Sequence, residues 1–373
     1  MLAALALTVA VSVVPSTRIY VGTYTEGTGS QGIYLVELDP EKGTLSEPIP
    51  VASSANPSFL ALHQSKPVLL AVNETMKTAD NPGGSVSSYA IASSGKLTPI
   101  DTASSQGTAP CHLSIDPSGR GVLVANYGSG TLGVLGLDDN GKLAPLGMTF
   151  EPKGKGADPR RQEGPHAHCV RFDPSGRYAL EADLGLDRVH VFDFDPARER
   201  DPLKLVMEIG LQPADGPRHL AFSPDGKTVY ILNEMALTIA VVHPDFANKR
   251  SETVQVIPTL PEGAGRQGDS TAEIVMHPTG KFLYSSNRGH DSIASFRVDS
   301  QSGRLEAIGH TPTGGRTPRN FNIDPTGKWL IAANQRSGTL TVFAINPETG
   351  ALTPRGEPVK VPAPVCVLFA SGG

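Results

Sequence analysis

The 373-residue sequence predicts an all-β fold, a seven-bladed β-propeller, and three observations carry that prediction. The first is a recurring hairpin. Gly216–Glu234 (GPRHLAFSPDGKTVYILNE) reads as two strands around Ser223-Pro-Asp-Gly226, where a fixed proline φ and a permissive glycine suit a tight turn. Related hairpins centre on Pro117, Pro174, Pro278 and Pro325, and a degenerate copy has Gln64 in place of the proline. The turn marks lie 53, 57, 50, 54 and 47 residues apart, the period of a propeller blade. The second observation is that the chain ends complete each other. Arg18–Tyr24 (RIYVGTY) aligns with the second strand of the hairpin, and its missing first strand stands at the other end, as Ala363–Phe369 (APVCVLF). A blade shared by both termini closes the ring and removes two open sheet edges. The third is composition: 40 Gly and 32 Pro punctuate a chain with no convincing amphipathic helical period.

In chain order, Leu2–Val14 is an apolar run of signal-peptide length, too short to span a bilayer, with no Lys or Arg ahead of it and no small-x-small cleavage site behind it. Residues 1–17 are therefore read as a signal peptide or disordered N-terminus, and 18–373 as the propeller domain. A cleaved signal implies a periplasmic or secreted protein; otherwise the location is cytoplasmic. Gly27–Gly32 (GTGSQG) matches GxGxxG, but a further strand, Ile33–Leu38, follows it instead of a helix, so the dinucleotide reading fails. Two outer strands follow each hairpin, for instance Thr238–Val242 and Thr253–Ile257, and turns such as Asp138–Gly141 and Asn346–Gly350 join them. Two longer connections, Pro152–Glu163 and Pro261–Ser270, each deliver the chain to the start of an inner strand and so rim one face of the ring, as binding loops or as solvated spacers.

Net charge is −5 with both signs interspersed, which leaves no basic stripe for a nucleic acid. Cys111, Cys169 and Cys366 have neither disulfide nor zinc spacing, and all three fall on first strands as buried small hydrophobes.

Propeller geometry turns the repeat alignment into a candidate site. The start of each first strand and the end of each second strand meet at one mouth of the channel. Six residues before the turn mark stand Ser58, Cys111, His168, Arg218, Ala272 and Arg319; ten after it stand Glu74, Tyr127, Leu184, Glu234, Arg288 and Gln335. Both columns vary from blade to blade, which is how a site breaks a repeat's symmetry. The column nine after the mark is uniform (Asn73, Asn126, Asp183, Asn233, Asn287, Asn334) and reads as strand-end hydrogen bonding. His168, Arg218, Glu234, Arg288 and Arg319 form a cationic set holding one His and one Glu, suited to acid–base work on an anionic substrate. His166 and His168 alternate along one strand face, whereas His112 and His219 lie one residue out of phase and are expected between blades. His-x-His also suits a metal, but no second carboxylate or His stands at matching depth. Ser58 and Cys111 face the channel without an adjacent base by sequence, so nucleophilic catalysis is disfavoured.

GPHAHCVRFDPSGRYALEADLGLDRVHVFDFD, GPRHLAFSPDGKTVYILNE and SSNRGHDSIASFRVD, with VGTYT at Val21–Thr25, resemble the seven-bladed propeller lactonase family over nearly the whole chain. That family includes 6-phosphogluconolactonases of the propeller type and carboxy-cis,cis-muconate cyclases. The resemblance implies a channel-mouth site of His168, Arg218, Glu234 and Arg288 as catalytic groups. His166, Arg319, Tyr127 and Gln335 are expected to contact substrate. The expected reaction is metal-free, cofactor-free hydrolysis of a small anionic lactone by a monomer without nucleic-acid or membrane partners. Glu234 would activate water, His168 would act as acid or base, and Arg218 and Arg288 would hold the anion. The alternatives are a muconolactone-forming cycloisomerase and a non-catalytic binding propeller.

Overall fold

The computed structural model describes residues 16–77, 83–198, 200–265 and 267–370, so the apolar run at 2–14 lies outside the described residues. Among the described residues every regular element is a strand, and no helix is long and apolar enough to cross a membrane. The strands form seven antiparallel sheets. In the closing blade, Pro364–Phe369 pairs with Thr17–Thr23, with Ile19 opposite Phe369 and Gly22 opposite Cys366; Gly32–Asp39 lies outside it. Numbering this as blade 1, blades 2 to 7 follow in chain order as four-stranded sheets. Their innermost strands are Leu60–Leu62, Pro110–Ile115, Ala167–Phe172, Pro217–Phe222, Ser270–Met276 and Pro318–Ile323.

Most of the core lies between blades. One face of each sheet packs on the next, as where Leu180, Ala182 and Val189 of blade 4 meet Leu220, Val229 and Ile231 of blade 5, all fully buried. The Pro-x-Gly turns also touch around the ring. Gly176, Gly226 and Gly280 take positive φ (71, 70 and 72°), and a Cβ on each would meet the turn proline of the preceding blade, Pro117, Pro174 and Pro224 respectively. The degenerate turn at Gln64 is held by a side chain: His63 Nδ1 accepts from the Ser65 and Lys66 amides at 3.1 Å. Asp116 does the same with its carboxylate, accepting from Ser118, Arg120 and Gly121.

One irregularity positions the site. In blades 3, 4, 5 and 7 the pairing of the two inner strands skips one residue. It steps from Pro110↔Asn126 to His112↔Ala125, from Ala167↔Asp183 to Cys169↔Ala182, from Pro217↔Asn233 to His219↔Leu232, and from Pro318↔Asn334 to Asn320↔Ala333. The skipped residues are Cys111, His168, Arg218 and Arg319. Blade 1 skips Val365 in the same way. A bulge adds one unpaired residue and re-aims its side chain, and here all five line a single small cavity at the mouth of the channel. The bulge also overturns one expectation. His112 and His219 face the channel rather than the blade interfaces: their rings meet edge to face at 5.4 Å although they belong to non-adjacent blades 3 and 5.

Candidate active site at the channel mouth

Glu234 is the centre of the mouth. It follows the second strand of blade 5, where its amide donates to Gly216 O at 2.7 Å, and its carboxylate is buried. Three guanidinium groups converge on it: Arg218 Nε at 2.8 Å, Arg288 Nη2 at 2.9 Å and Arg161 Nη2 at 2.6 Å. Burial alone would raise its pKa, but Arg288, Arg218, His168 and Arg161 together outweigh that and hold the carboxyl well below its usual range. Burial lowers Arg288 to about 10 against the pull of Glu234. Each arginine has a second anchor. Arg218 Nη1 donates to Ala272 O, Arg288 Nη2 to Thr271 O at 2.7 Å, and Arg161 Nη2 to the Tyr127 hydroxyl at 3.3 Å.

His168 lies beside this group, its Nε2 4.0 Å from Glu234 Oε2 and its Nδ1 3.6 Å from Cys111 Sγ. Burial, reinforced by Arg218, depresses its pKa well below the ordinary imidazole value. The pair is therefore a neutral ring beside a carboxylate at neutral pH, not a salt bridge. Burial and Glu74 raise the Cys111 thiol, so it is a thiol and not a nucleophile. Arg319 sits with its guanidinium 5.3 Å from the Tyr24 ring centroid, and the Tyr24 hydroxyl donates to the Glu74 carboxylate at 2.9 Å.

Of the expected contact residues, His166 stacks on Tyr127 at 4.6 Å between centroids, and its Nδ1 donates to Tyr127 O at 2.9 Å. Tyr127 reaches the cluster through Arg161. Gln335 is not among the residues lining the mouth cavity; its amide donates to Thr317 O at 2.9 Å. Position-nine side chains bond nearby backbone, as in Asn126 Nδ2 to Ser105 O and Asn287 Nδ2 to Thr259 O, except Asn233, whose Nδ2 donates to the Thr238 hydroxyl. Arg161 is the residue that repeat alignment missed. It lies in the loop of residues 152–163, outside any repeat column, and only that loop's basic composition and its position on the rim marked it.

Below the mouth the channel stays polar. His168 and His219 meet at 5.5 Å between ring centroids, and His219 Nδ1 lies 2.7 Å from Glu273 Oε1. Asn320 Nδ2 donates to the other oxygen of Glu273, and Arg171 lies 3.9 Å away. Past this layer, toward the turns, a larger channel cavity of ≈ 380 Å³ opens, lined by His112, Arg171, Glu273 and Asn320 among others. The mouth cavity is only ≈ 20 Å³; Glu74, His168, Arg218 and Arg319 line it, and Glu234 adjoins it through its bond to Arg218.

A closed ring of seven blades with a buried Glu–Arg–His cluster at one mouth defines a propeller of the lactonase class. Residues 18–369 match the family model described as lactonase, 7-bladed β-propeller, and the chain belongs to that family. It is a lactonase of the 6-phosphogluconolactonase-like kind. It is 37% identical to the 6-phosphogluconolactonase of Bacillus subtilis over 94% of this chain and 97% of that one. It is 32% identical to the 6-phosphogluconolactonase of Formosa agariphila over 82% and 86%. The solved structure of the Pseudomonas aeruginosa periplasmic gluconolactonase superposes with a TM-score of 0.89 at 31% identity, covering 96% of this chain and 99% of that one.

Proposed function

We propose that this lactonase hydrolyses an anionic sugar lactone of the 6-phosphogluconolactone type without a catalytic metal, using its arginines as the clamp and His168 as the proton-transfer group. One observation carries the reading: three guanidinium groups meet on one buried carboxylate beside a neutral imidazole. Glu234 is not the group that activates water, contrary to the expectation from the sequence. Guanidinium groups engage both of its oxygens, Arg161 at Oε1 and Arg218 and Arg288 at Oε2, so its role is to gather the three at one point. The neutral His168 ring accepts the proton of the attacking water and returns it to the ring oxygen as the C–O bond breaks. The tetrahedral oxyanion develops against Arg218 and Arg288, which are fixed in advance by backbone carbonyls.

The anionic tail of the substrate is assigned to Arg161. Its side chain is 42% exposed, against 3% for Arg218, and its loop rims the mouth. Of the three arginines on Glu234 it is the most exposed, so it is the one that leaves Glu234 for the substrate. A phosphate or carboxylate on the substrate supplies the replacement partner. The test is a panel of phosphorylated and unphosphorylated lactones followed by pH indicator. Turnover of the phosphorylated members with at least a tenfold advantage is expected (about 1.4 kcal/mol of differential binding). Equal turnover of neutral lactones refutes the anion clamp, and no acceleration of any member refutes the substrate class.

A further inference from the structure

The second strand of blade 4 carries two acidic residues, Glu181 and Asp183, on the face that packs against blade 3. Residues two apart on a strand share a face, and the cross-strand partner of Glu181 is His190. The other blades place uncharged pairs at this point, Val124 opposite Gly133, Ile231 opposite Ala240, and Ala332 opposite Thr341. All three side chains of the blade 4 set are buried, with 1%, 0% and 1% exposure. Their donor atoms lie within 4.8 Å of one another.

The hydrogen bonds leave this set incomplete. Asp183 Oδ1 accepts from the amides of His166, Gly185 and Leu186, which fixes the carboxylate, while Asp183 Oδ2 is buried with no partner. Glu181 Oε2 lies 2.6 Å from His190 Nδ1, and Glu181 Oε1 is also buried with no partner. Two carboxylates thus face one imidazole, and neither makes an ion pair with a lysine or arginine among the described residues. Such a set is short of positive charge, and an unpaired buried carboxylate oxygen is among the most costly groups to leave unsatisfied. The remaining ring nitrogen, His190 Nε2, lies 3.4 Å from Glu208 Oε1. A carboxylate behind a histidine is the arrangement that orients an imidazole toward a metal.

We propose that Glu181, Asp183 and His190 form a structural site for a small divalent transition ion, zinc or manganese, clamped between blades 3 and 4. Mixed carboxylate and imidazole donors suit these ions. Asp183 and Glu181 supply their free oxygens, His190 supplies Nδ1, and Glu208 holds the ring through Nε2. The ion lies outside the mouth cluster, with the Asp183–His166 backbone bond between the two, and the inference does not depend on the substrate assigned above.

The full chain is expressed in minimal medium with ZnCl2, with MnCl2 or with neither, desalted without unfolding, and its metal counted by plasma mass spectrometry. A second sample is unfolded in urea and refolded with the same salts or with EDTA. The expected result is about one zinc or manganese ion per chain and a Tm several degrees above that of the EDTA-refolded protein. Asp183→Asn installs the side chain that Asn126 and Asn233 supply at this place. Glu181→Ala with His190→Ser copies the Ala71–Ser87 pair of blade 2. Both variants are expected to lose the ion and the metal dependence of Tm. Wild-type protein that holds no stoichiometric metal, and melts alike in zinc, manganese and EDTA, overturns the proposal. Variants that keep the wild-type metal content also overturn it, since the ion then sits elsewhere.

Discussion

Glu234→Gln separates an organiser of arginines from a catalytic base. The substitution keeps the shape and removes the charge, leaving Arg161, Arg218 and Arg288 converging without a counter-ion. Arg218 and Arg288 are buried, with side-chain exposures of 3% and 14%, so the weight rests on them and the half-exposed Arg161 is discounted for solvent screening. Removing one partner of a buried, hydrogen-bonded ion pair costs about 3–5 kcal/mol. With an unfolding entropy of roughly 2.1 cal/mol/K per residue, a chain of this size loses about 4–6 °C of Tm for that change. The assay is a thermal melt by circular dichroism of the variant beside wild type. Lactone turnover is measured in parallel and falls together with stability. A variant that melts within a degree of wild type refutes the organiser role. Abolished turnover with intact stability would instead return Glu234 to the position of the base.

Four further outcomes follow from the same geometry. Arg218→Ala loses about a hundredfold or more in kcat, since one oxyanion donor in a dry site is worth roughly 3–4 kcal/mol; near-wild-type turnover removes Arg218 from the mechanism. Arg161→Ala raises KM for a phosphorylated lactone while leaving KM for a neutral one unchanged, and equal effects on both refute its role as the tail clamp. Because His168 works as the neutral ring and its folded pKa lies below the ordinary 6.5, kcat/KM stays level as pH falls through neutrality and declines only below pH 6.5. An acid limb centred at or above 7 contradicts this. EDTA added to the native enzyme leaves lactone turnover unchanged, and loss restored by Ca²⁺ alone would recast Glu234 as a metal ligand.

The blade count and ring closure were legible in the sequence because both rest on a repeat, and the hairpin turns mark that repeat without any tertiary information. His168, Arg218, Glu234 and Arg288 were legible for the same reason: they stand at equivalent places in neighbouring repeats, so one alignment brings them to one mouth. His112 and His219 were misplaced because strict two-residue alternation sends consecutive positions to opposite faces, and a bulge is invisible to that rule. Gln335 was carried by its column alone, and the column does not settle where the side chain goes. Arg161 was out of reach of the alignment because a loop between repeats has no register. Its partner on Glu234 is set by how residues 152–163 fold back over the rim. The organising role of Glu234 needed the third arginine and the full burial of the group before it was apparent.

The bulge explains how a repetitive scaffold acquires a site at all. In a regular strand the residue six before the turn would alternate into the packed space between sheets, where only small or apolar side chains are tolerated. Skipping it in the pairing frees that position from the ladder in blades 1, 3, 4, 5 and 7 and turns it inward, so Val365, Cys111, His168, Arg218 and Arg319 crowd one cavity. Because the position makes no ladder bond and fills no inter-sheet core, its chemistry varies from blade to blade while the sheets stay alike. The neighbouring position nine is held to one job: its amide or carboxylate bonds backbone near the strand end in blades 3, 4 and 6, and in blade 5 Asn233 bonds the Thr238 hydroxyl. Within two inner strands, one column is therefore held to structure and the adjacent bulge is released for function. The Glu–Arg–His cluster is assembled from that released set, from the strand ends opposite it, and from a single arginine on the rim.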